Sequence, residues 1–452
     1  MRLFPQDNEV VLYESGFEDD LLGRDKLSKQ LSELIEKIED PLVLALDDKW
    51  GSGKSFFLKR WVAAHKNDNA GKATTVYFDA FENDYLSDPL VSIIAAVGER
   101  IPSNKADTVK KWKSTATKLV KPALRVGLSF ATFGATKHFD EMGDVIADAV
   151  GSEGKAALDG LWEAEKERQD AILAFKSVLT ELTESDGAPI VIVVDELDRC
   201  RPDYALSVLE VIKHFFSVPR VHFILGVNLI SLENSVRARY GDAVDAEGYL
   251  RKFINVSFSL PKFLVTEGNV DVAISYATQM SSSMGLPEKI SKRCIHLLKY
   301  IVQVNDVSLR DVGKILSKIA LVPPEASEKK YYEGWIDVLC VLLVSSVVDP
   351  QFQSELISKS VSFERIMSFL GATNALISDK IEETYNENYD HDLTIWLVEI
   401  AYCCCPKDLK EAEYLPAWKD EIGQQFGNYM LPRKPNDMFA MIQKDWVDLF
   451  RL

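Results

Sequence analysis

A lysine and a serine follow a glycine-rich turn at the point where an apolar run meets a helix. Residues 42–56 read LVLALDDKWGSGKSF. A buried strand that leads into such a turn leaves backbone N–H groups pointing into the loop, and the next helix adds a partial positive charge at its first turn. The loop can therefore hold nucleotide phosphates, with Lys54 reaching the β- and γ-phosphates and Ser55 binding Mg²⁺. We predict that the nucleotide is bound by Trp50, Gly51, Ser52, Gly53, Lys54, Ser55 and Phe56.

The loop departs from the usual phosphate-loop pattern, G-x-x-x-x-G-K-[ST], at one position. The pattern requires glycine at position 48, and this chain has Asp48. Aspartate tolerates a left-handed backbone better than most residues, so the turn can form, but a carboxylate near a triphosphate is unfavourable unless it points away. Asp48 therefore leaves open whether the site hydrolyses a nucleotide or only binds it.

A second motif ends another apolar run. Residues 189–198 read PIVIVVDELD, which is typical of a central parallel strand that is buried on both faces. Acids at the carboxyl end of such a strand lie where open α/β sheets bind ligands. We predict that Asp195 organises Mg²⁺ and that Glu196 orients or deprotonates the attacking water. The alternative is a strand-end aspartate that caps the next helix.

Composition limits the class of protein. The chain has 452 residues, of which 47% are hydrophobic, enough for two or three domains with real cores. The net charge of −17 does not favour a surface that coats nucleic acid, although lysines cluster at Lys105–Lys121. The six cysteines include no C-x-x-C repeat, which favours free thiols over a metal site or a disulfide framework.

The chain lacks the sequence signals of export and of membrane insertion. Its first residues do not form a basic-then-apolar signal peptide, and no apolar stretch reaches about 18 residues. The longest candidates, Val126–Thr136 and Ile336–Val348, are too short. We therefore expect a cytoplasmic protein that does not enter the membrane.

Alternating apolar runs and helical patterns predict an α/β fold. They predict a parallel-sheet core covered by helices, with a long helical insert and an all-α C-terminal region. The phosphate loop at 42–56 makes the predicted fold class a P-loop NTPase core. We predict strands at Leu42–Leu46, Thr74–Phe78, Ile190–Val194, Val221–Val227 and Ile254–Leu260.

The same patterns suggest three regions. Residues 1–262 form the nucleotide domain, which contains the helical insert at about 99–185. Residues 263–325 form a helical lid, and residues 326–452 form a further helical domain. The core anchors predicted for that last region are Trp335, Trp396, Trp418 and Trp446.

The motifs together resemble the KAP family of P-loop NTPases, a branch of the AAA+/STAND-like ATPases. The resemblance covers roughly residues 18–320 and rests on KWGSGKSFF, YFDAFE, DELDRCRPDYALSVLEVIKHF, VHFILGVN and GYLRKFINVSFSLP, in that order. Family members typically carry membrane helices between the two nucleotide motifs. Because Val126–Thr136 is too short for that role, the chain looks like a soluble member. It also differs at Asp48 and at Asn228, where relatives often have aspartate.

The resemblance implies roles for further residues. Asn228 would hold the attacking water or the γ-phosphate; a turn asparagine is the alternative. Arg251 and Lys252 would form a finger that reaches a neighbouring subunit's γ-phosphate, or else an ordinary surface pair. Arg310 would sense the γ-phosphate from the lid, or form a surface salt bridge. Gly23-Arg24 resembles a turn that contacts adenine.

The function implied is a Mg²⁺-dependent ATPase whose nucleotide cycle switches an oligomer. Its cofactors would be ATP and Mg²⁺, and its partners would be further copies of the chain and a separate effector protein. The resemblance suggests that it supplies the ATPase of a bacterial anti-phage defence system. The alternatives are a nucleotide-gated scaffold that does not hydrolyse ATP, and a motor stimulated by nucleic acid, which the acidic charge disfavours.

Overall fold

A five-stranded sheet carries the loop and the strand-end acids. All its neighbouring strands are parallel, in the order β2–β3–β4–β1–β5. The computed structural model describes residues 1–5, 10–18, 20–85, 88–101, 110, 112, 166, 169–170, 172–184, 187–215, 217–263, 270–327, 332–373, 393–412, 415, 417–427 and 435–449. The strands are β1 Val43–Asp47, β2 Thr74–Asp79, β3 Ile190–Asp195, β4 Val221–Val227 and β5 Val256–Phe258.

Four of the predicted strands lie within one residue of their predicted bounds, and the fifth is shorter. β5 begins only at Val256 because the Asn255 side chain accepts a hydrogen bond from the Val43 N–H at 2.7 Å. That side-chain bond takes the place of a ladder bond between the strands. The predicted strand over 254–260 is therefore confirmed in place but not in length.

Helices cover both faces of the sheet, as the apolar runs predict. Every residue of β3 is buried, and successive residues alternate between two cores. Ile192 and Val194 face a core shared with α3 and α4, whereas Val191 and Val193 face α1 and α2. The helices of this part are α1 Asp25–Lys37, α2 Lys54–Asn67, α3 Pro89–Arg100, α4 Pro202–His214, α5 Leu229–Tyr240 and α6 Ala246–Leu250, with a short 3₁₀ turn at Leu197–Arg199 and further helical residues at 172–184.

The rest of the described chain is helical, which confirms the predicted all-α C-terminal region. One continuous core joins the predicted lid helices to the helices that follow them. Trp396 and Trp446 are buried in it and Trp335 packs against it, whereas the Trp418 side chain lies outside the described part. The α-helices are α7 Val272–Met284, α8 Glu288–Val304, α9 Leu309–Ala320, α10 Glu333–Val348, α11 Pro350–Ser358, α12 Phe363–Leu370, α13 Leu393–Cys404, α14 Pro406–Glu411 and α15 Met438–Ile442, with 3₁₀ segments at Pro324–Ser327, Ala417–Phe426 and Pro435–Asp437 and a π-helical turn at Gln443–Val447.

Two of the sequence predictions fall largely outside the described residues. These are the helical insert at about 99–185, with its apolar stretch at Val126–Thr136, and the lysine cluster at Lys105–Lys121. Within the described ranges, no helix has both the length and the apolar character needed to cross a membrane. The six cysteines, all of them described, are free thiols.

The strand order explains where a site can form. Because all five strands are parallel, their carboxyl ends meet at one edge of the sheet. Three strands end there in aspartate, namely Asp47, Asp79 and Asp195, and Asn228 follows a fourth. The loop between β1 and α2 leaves the sheet at the same edge.

Candidate functional site

The loop between β1 and α2 has the backbone of an anion-binding turn. Gly51 and Gly53 have φ of +86° and +92°, in the left-handed region that side chains other than glycine rarely adopt. Among the described residues, the N–H groups of Gly53, Lys54 and Ser55 donate no hydrogen bond to the protein. The loop therefore presents open donors at the N-terminus of α2, the arrangement that binds phosphate.

Asp48 does not disturb this loop. It has no positive φ, so the freedom of glycine is not needed at this position. Its carboxylate accepts a hydrogen bond from the Lys49 N–H at 2.8 Å, and its own N–H donates to the Val227 carbonyl at 3.2 Å. The departure from the usual pattern is accommodated within the turn.

Lys54 lies folded against its own loop. The ammonium group donates to the carbonyls of Asp48 and Lys49 at 2.5 and 3.0 Å. Burial lowers the pKa of Lys54, and the nearby carboxylates of Asp198, Asp48, Asp195 and Asp47 oppose that shift. A bound phosphate would offer this lysine a stronger acceptor than the loop carbonyls do.

Asp195 is the most buried acid of the site, with 1% of its surface exposed. One carboxylate oxygen accepts from the Tyr77 hydroxyl at 2.7 Å, and the other accepts from the Glu196 N–H at 2.9 Å. Burial raises the pKa of Asp195 to about 6, against the lowering effect of these bonds. Gly226 on β4 makes room for the carboxylate, since a Cβ there would lie 2.3 Å from Oδ1 of Asp195.

Glu196 turns out of the strand on a left-handed backbone, with φ of +57°. One of its carboxylate oxygens accepts from the Ser55 hydroxyl at 3.2 Å. The other forms an ion pair with Arg199 at 3.0 Å. The two residues predicted to bind Mg²⁺ and to act as base, Ser55 and Glu196, are therefore in direct contact.

The 3₁₀ turn after Glu196 contacts the loop a second time. The indole N–H of Trp50 donates to the Asp198 carboxylate at 2.5 Å. Trp50 is 48% exposed, whereas Asp198 is 6% exposed. This bond connects the phosphate loop to the end of β3.

Helix α9, in the region predicted to form a lid, forms one wall of the site. Its buried residues Val312, Ile315 and Ile319 form an apolar stripe that packs into the helical core. The opposite stripe lines the cavity, and its residues are spaced by three or four, as neighbours on one helix face are. That stripe comprises Leu309, Arg310, Gly313, Lys314 and Ser317.

The loop and α9 are in contact. The Arg310 N–H donates to the Gly51 carbonyl at 3.3 Å, and a Cβ at Gly51 would lie only 2.6 Å from Cβ of Arg310. Lys49 forms an ion pair with Asp306, just before α9. The predicted lid region therefore contacts the loop directly.

A cavity of about 560 Å³ lies between these elements. Nine residues predicted to form the site line it, together with several others. The predicted residues are Trp50, Gly51, Gly53, Lys54, Ser55, Phe56, Asp195, Glu196 and Arg310. Arg24, which the resemblance placed at a turn that contacts adenine, also lines the cavity. The others are Phe4, Pro5, Leu21, Leu22, Asp198, Arg199, Gly226, Tyr276, Met280, Leu309, Gly313, Lys314 and Ser317.

Four predicted residues do not line this cavity. The Ser52 carbonyl accepts a hydrogen bond from the Arg24 guanidinium. Asn228 caps α5, accepting from the Ser231 N–H at 3.3 Å. Arg251 forms an ion pair with Glu247 on the surface and is 74% exposed on its side chain. The role of Arg251 and Lys252 requires a second subunit, so it stays a prediction.

Oxygen ligands suited to Mg²⁺ lie together at the cavity. The Ser55 hydroxyl and the Asp195 carboxylate are within one hydrogen-bonded group with Glu196. Hard oxygen donors of this kind are what Mg²⁺ prefers when phosphates supply its other ligands. The residues present therefore fit the ion that the sequence implies.

Comparison with known proteins agrees with this geometry. The model of the KAP family P-loop domain matches residues 24–324, more than half of the chain. The chain belongs to the KAP family. Its P-loop domain thus includes the sheet, the loop and the helices α7–α9. No curated protein matches the chain.

Several solved structures resemble the chain weakly. The Aeropyrum pernix ORC2 protein in its ADPNP-ADP complexes is 11% identical, with a TM-score of 0.38 over 88% of this chain and 83% of that one. The ADP form of the same protein is 12% identical, with a TM-score of 0.35 over 93% and 96%. C. elegans PCH-2 is 11% identical, with a TM-score of 0.22 over 87% and 70%. The fold assignment rests on the sheet, the loop and the family model.

Proposed function

We propose that this KAP family chain binds Mg²⁺–ATP and hydrolyses it. The observation that carries the proposal is the convergence of Lys54, Ser55, Asp195 and Glu196 on one cavity beside the open N–H groups of the loop. These residues come from two separate motifs of the chain. Together they supply a phosphate cradle, a cation, oxygen ligands and a base, which are the parts that phosphoryl transfer to water requires.

Each residue has a distinct role in the proposed reaction. Lys54 would leave the loop carbonyls for the phosphates, since a charged acceptor forms the stronger hydrogen bond. Ser55 and Asp195 would hold Mg²⁺, which neutralises charge on the phosphate oxygens when bound. Glu196 would then be released from Ser55 and take the proton of the attacking water.

A nucleotide-gated scaffold that hardly hydrolyses ATP is the second candidate. Both carboxylate oxygens of Glu196 are engaged, one by Ser55 and the other by Arg199. If the ion pair between Arg199 and Glu196 persists when nucleotide is bound, the Glu196 carboxylate cannot accept a proton from the attacking water. The protein would then keep ATP bound without hydrolysing it.

The first experiment separates binding from hydrolysis. Mg-ATP should raise the melting temperature of the wild type, because a ligand that binds only the folded state stabilises it. Lys54→Ala should lose this upshift, whereas Lys66→Ala, an exposed lysine on the same helix, should keep it. An equal upshift in the Lys54→Ala protein would refute the assignment of the loop.

The second experiment concerns the base. Glu196→Gln keeps the size of the side chain but removes its basicity, so ATP should still bind while turnover falls roughly 100-fold or more. Turnover equal to that of the wild type would place the base elsewhere, with Asp79 at the end of β2 as the next candidate. A wild type that binds ATP without turnover, with or without DNA or RNA, would favour the scaffold.

We also propose that nucleotide binding switches the oligomeric state of the chain. Contacts between α9 and the loop, such as that of Arg310 with Gly51, offer a way for nucleotide to shift the lid and hence assembly. Sedimentation should then show larger species for Glu196→Gln with ATP than without it. A monomer under every nucleotide condition would contradict the switch.

The role in anti-phage defence, with a separate effector protein, rests on family membership alone. A plaque assay on bacteria that carry the chain with its neighbouring genes would test it. Protection by the wild type that is lost with Lys54→Ala would support the role, and equal protection by both would contradict it.

A further inference from the structure

Arg24 is a buried arginine that lies under the phosphate loop. It caps the N-terminal end of α1 and is only 1% exposed. Its Nη2 donates to the Ser52 carbonyl at 2.7 Å and its Nη1 donates to the Gly53 carbonyl at 3.1 Å. One guanidinium therefore bridges two successive carbonyls of the loop.

The bridge orients the Ser52–Gly53 peptide group, and it supports the orientation of the Gly53–Lys54 group, whose carbonyl also accepts from the Phe57 N–H at 3.0 Å. In a planar trans peptide the carbonyl and the N–H point in opposite directions. The groups whose carbonyls meet Arg24 are those that end in the N–H of Gly53 and of Lys54. Both N–H groups are therefore turned away from the guanidinium, and neither has an acceptor among the described residues.

The contact between Arg24 and the loop requires glycine at position 53. A Cβ at that position would lie 2.7 Å from Nη1 of Arg24 and 3.3 Å from Nη2. The guanidinium thus packs on the bare Cα of the glycine. Glycine at position 53 therefore allows both the positive φ of the turn and the close approach of Arg24.

The arginine is itself held in place and charged. The Asp20 carboxylate accepts from the N–H groups of Leu22, Arg24 and Asp25, which fixes the turn before α1. Burial lowers the pKa of Arg24 to about 10, while Asp20 and Asp48 oppose the shift. The side chain therefore remains a cation at neutral pH, and it lines the cavity.

We propose that Arg24 is a positioning residue for phosphate binding, which holds the loop with the N–H groups of Gly53 and Lys54 directed at the ligand. The proposal rests on the proposed function, since it assumes that the loop binds Mg-ATP. It assigns to the start of α1 a role in the phosphate site, through the backbone rather than through the base. Preorganised donors bind an anion more tightly because the loop need not reorder when the ligand enters.

The test is the dissociation constant of Mg-ATP, measured by titration with a fluorescent ATP analogue. Arg24→Met should weaken binding roughly 10- to 100-fold, the range expected for loss of charge-assisted hydrogen bonds. Arg24→Lys should lie between, because an ammonium cannot bridge both carbonyls in one plane. Arg100→Met is the matched control: Arg100 donates to the Thr75 carbonyl at 3.2 Å, at the amino end of β2.

A chemical rescue distinguishes positioning from simple support of the fold. Arg24→Ala leaves a space open to the cavity, and added guanidinium ion should restore much of the lost ATP affinity there without raising the melting temperature of the ligand-free protein. Added guanidinium should not restore the ATP affinity of the Lys54→Ala protein.

Three results would overturn the inference. They are wild-type affinity in both Arg24→Met and Arg24→Lys, an equal loss in Arg100→Met, and no rescue of Arg24→Ala by guanidinium. A wild type that does not bind Mg-ATP would instead refute the proposed function, which is a separate result.

Discussion

The hydroxyl of Tyr77 donates a hydrogen bond that lowers the pKa of Asp195, the acid proposed to hold Mg²⁺, against the raising effect of burial. Tyr77 lies on β2 and donates to Asp195 on β3 at 2.7 Å. With the pKa of Asp195 at about 6, roughly nine tenths of this carboxyl is ionised at pH 7. Tyr77→Phe removes the donor and leaves the ring in place.

The size of the effect follows from the hydrogen bond. A bond to a charged group contributes about 1.5–3 kcal/mol, which corresponds to about 1–2 pH units. The pKa of Asp195 should therefore rise to about 7–8 in the variant, and the ionised fraction at pH 7 should fall to between about a half and a tenth. Because only the carboxylate binds Mg²⁺, the ion's affinity should drop roughly 2- to 10-fold at pH 7.

The assay is a Mg²⁺ titration of nucleotide binding at several pH values. At pH 7 the Tyr77→Phe protein should need more Mg²⁺ than the wild type, and the difference should shrink towards pH 9, where both carboxyls are ionised. Tyr249→Phe is the control, since its hydroxyl contacts only Tyr240 among the described residues, away from the cavity. Equal Mg²⁺ requirements at pH 7, or a deficit that persists unchanged at pH 9, would refute the reasoning.

Three further outcomes are expected. Arg310→Ala should weaken ATP binding by roughly tenfold and ADP binding less, because a guanidinium at the lid can pair with the γ-phosphate; equal losses in titrations with both nucleotides would contradict this. Arg251→Ala should lower turnover, and mixing it with Lys54→Ala protein should partly restore activity if Arg251 completes a neighbouring site; no rescue would exclude that role. Burial lowers the pKa of His222 to about 4. Its folded pKa is therefore below the unfolded value of 6.5, so His222 contributes stability above pH 6.5 that is lost as the pH falls towards 4, up to about 3 kcal/mol. In the His222→Leu protein, the free energy of unfolding measured with urea should depend less on pH between 4 and 6.5 than in the wild type. An equal dependence on pH in the two proteins would contradict this.

The parts of the site that lie within one stretch of chain could be read from the sequence. The loop at 50–56 and the acids Asp195 and Glu196 are each attached directly to an apolar run whose length marks a buried strand. Such patterns are local, because a strand, a turn and a helix start are specified by neighbouring residues. The parallel sheet and the helical C-terminal region followed from the same periodicity.

The sequence carries one further signal of the site, on helix α9. Arg310, Gly313, Lys314 and Ser317 recur at helical spacing opposite an apolar stripe, and that face of α9 lines the cavity. Only Arg310 was predicted, and that prediction came from the family resemblance. A polar stripe on a helix is ordinarily solvated, so spacing alone does not distinguish a cavity wall from a surface.

Contacts between distant parts of the chain were decided by the tertiary structure alone. Tyr77 reaches Asp195 because β2 pairs with β3, and Arg24 reaches the loop because α1 packs on α2. By itself the sequence determined which residues can bind phosphate and metal, since that chemistry belongs to residue types in a short motif. The side chains that orient these residues were decided by the strand order β2–β3–β4–β1–β5 and by the packing of α1 and α9. Burial of apolar surface across the whole fold selects the strand order and the helix packing, so neither can be read from a short motif.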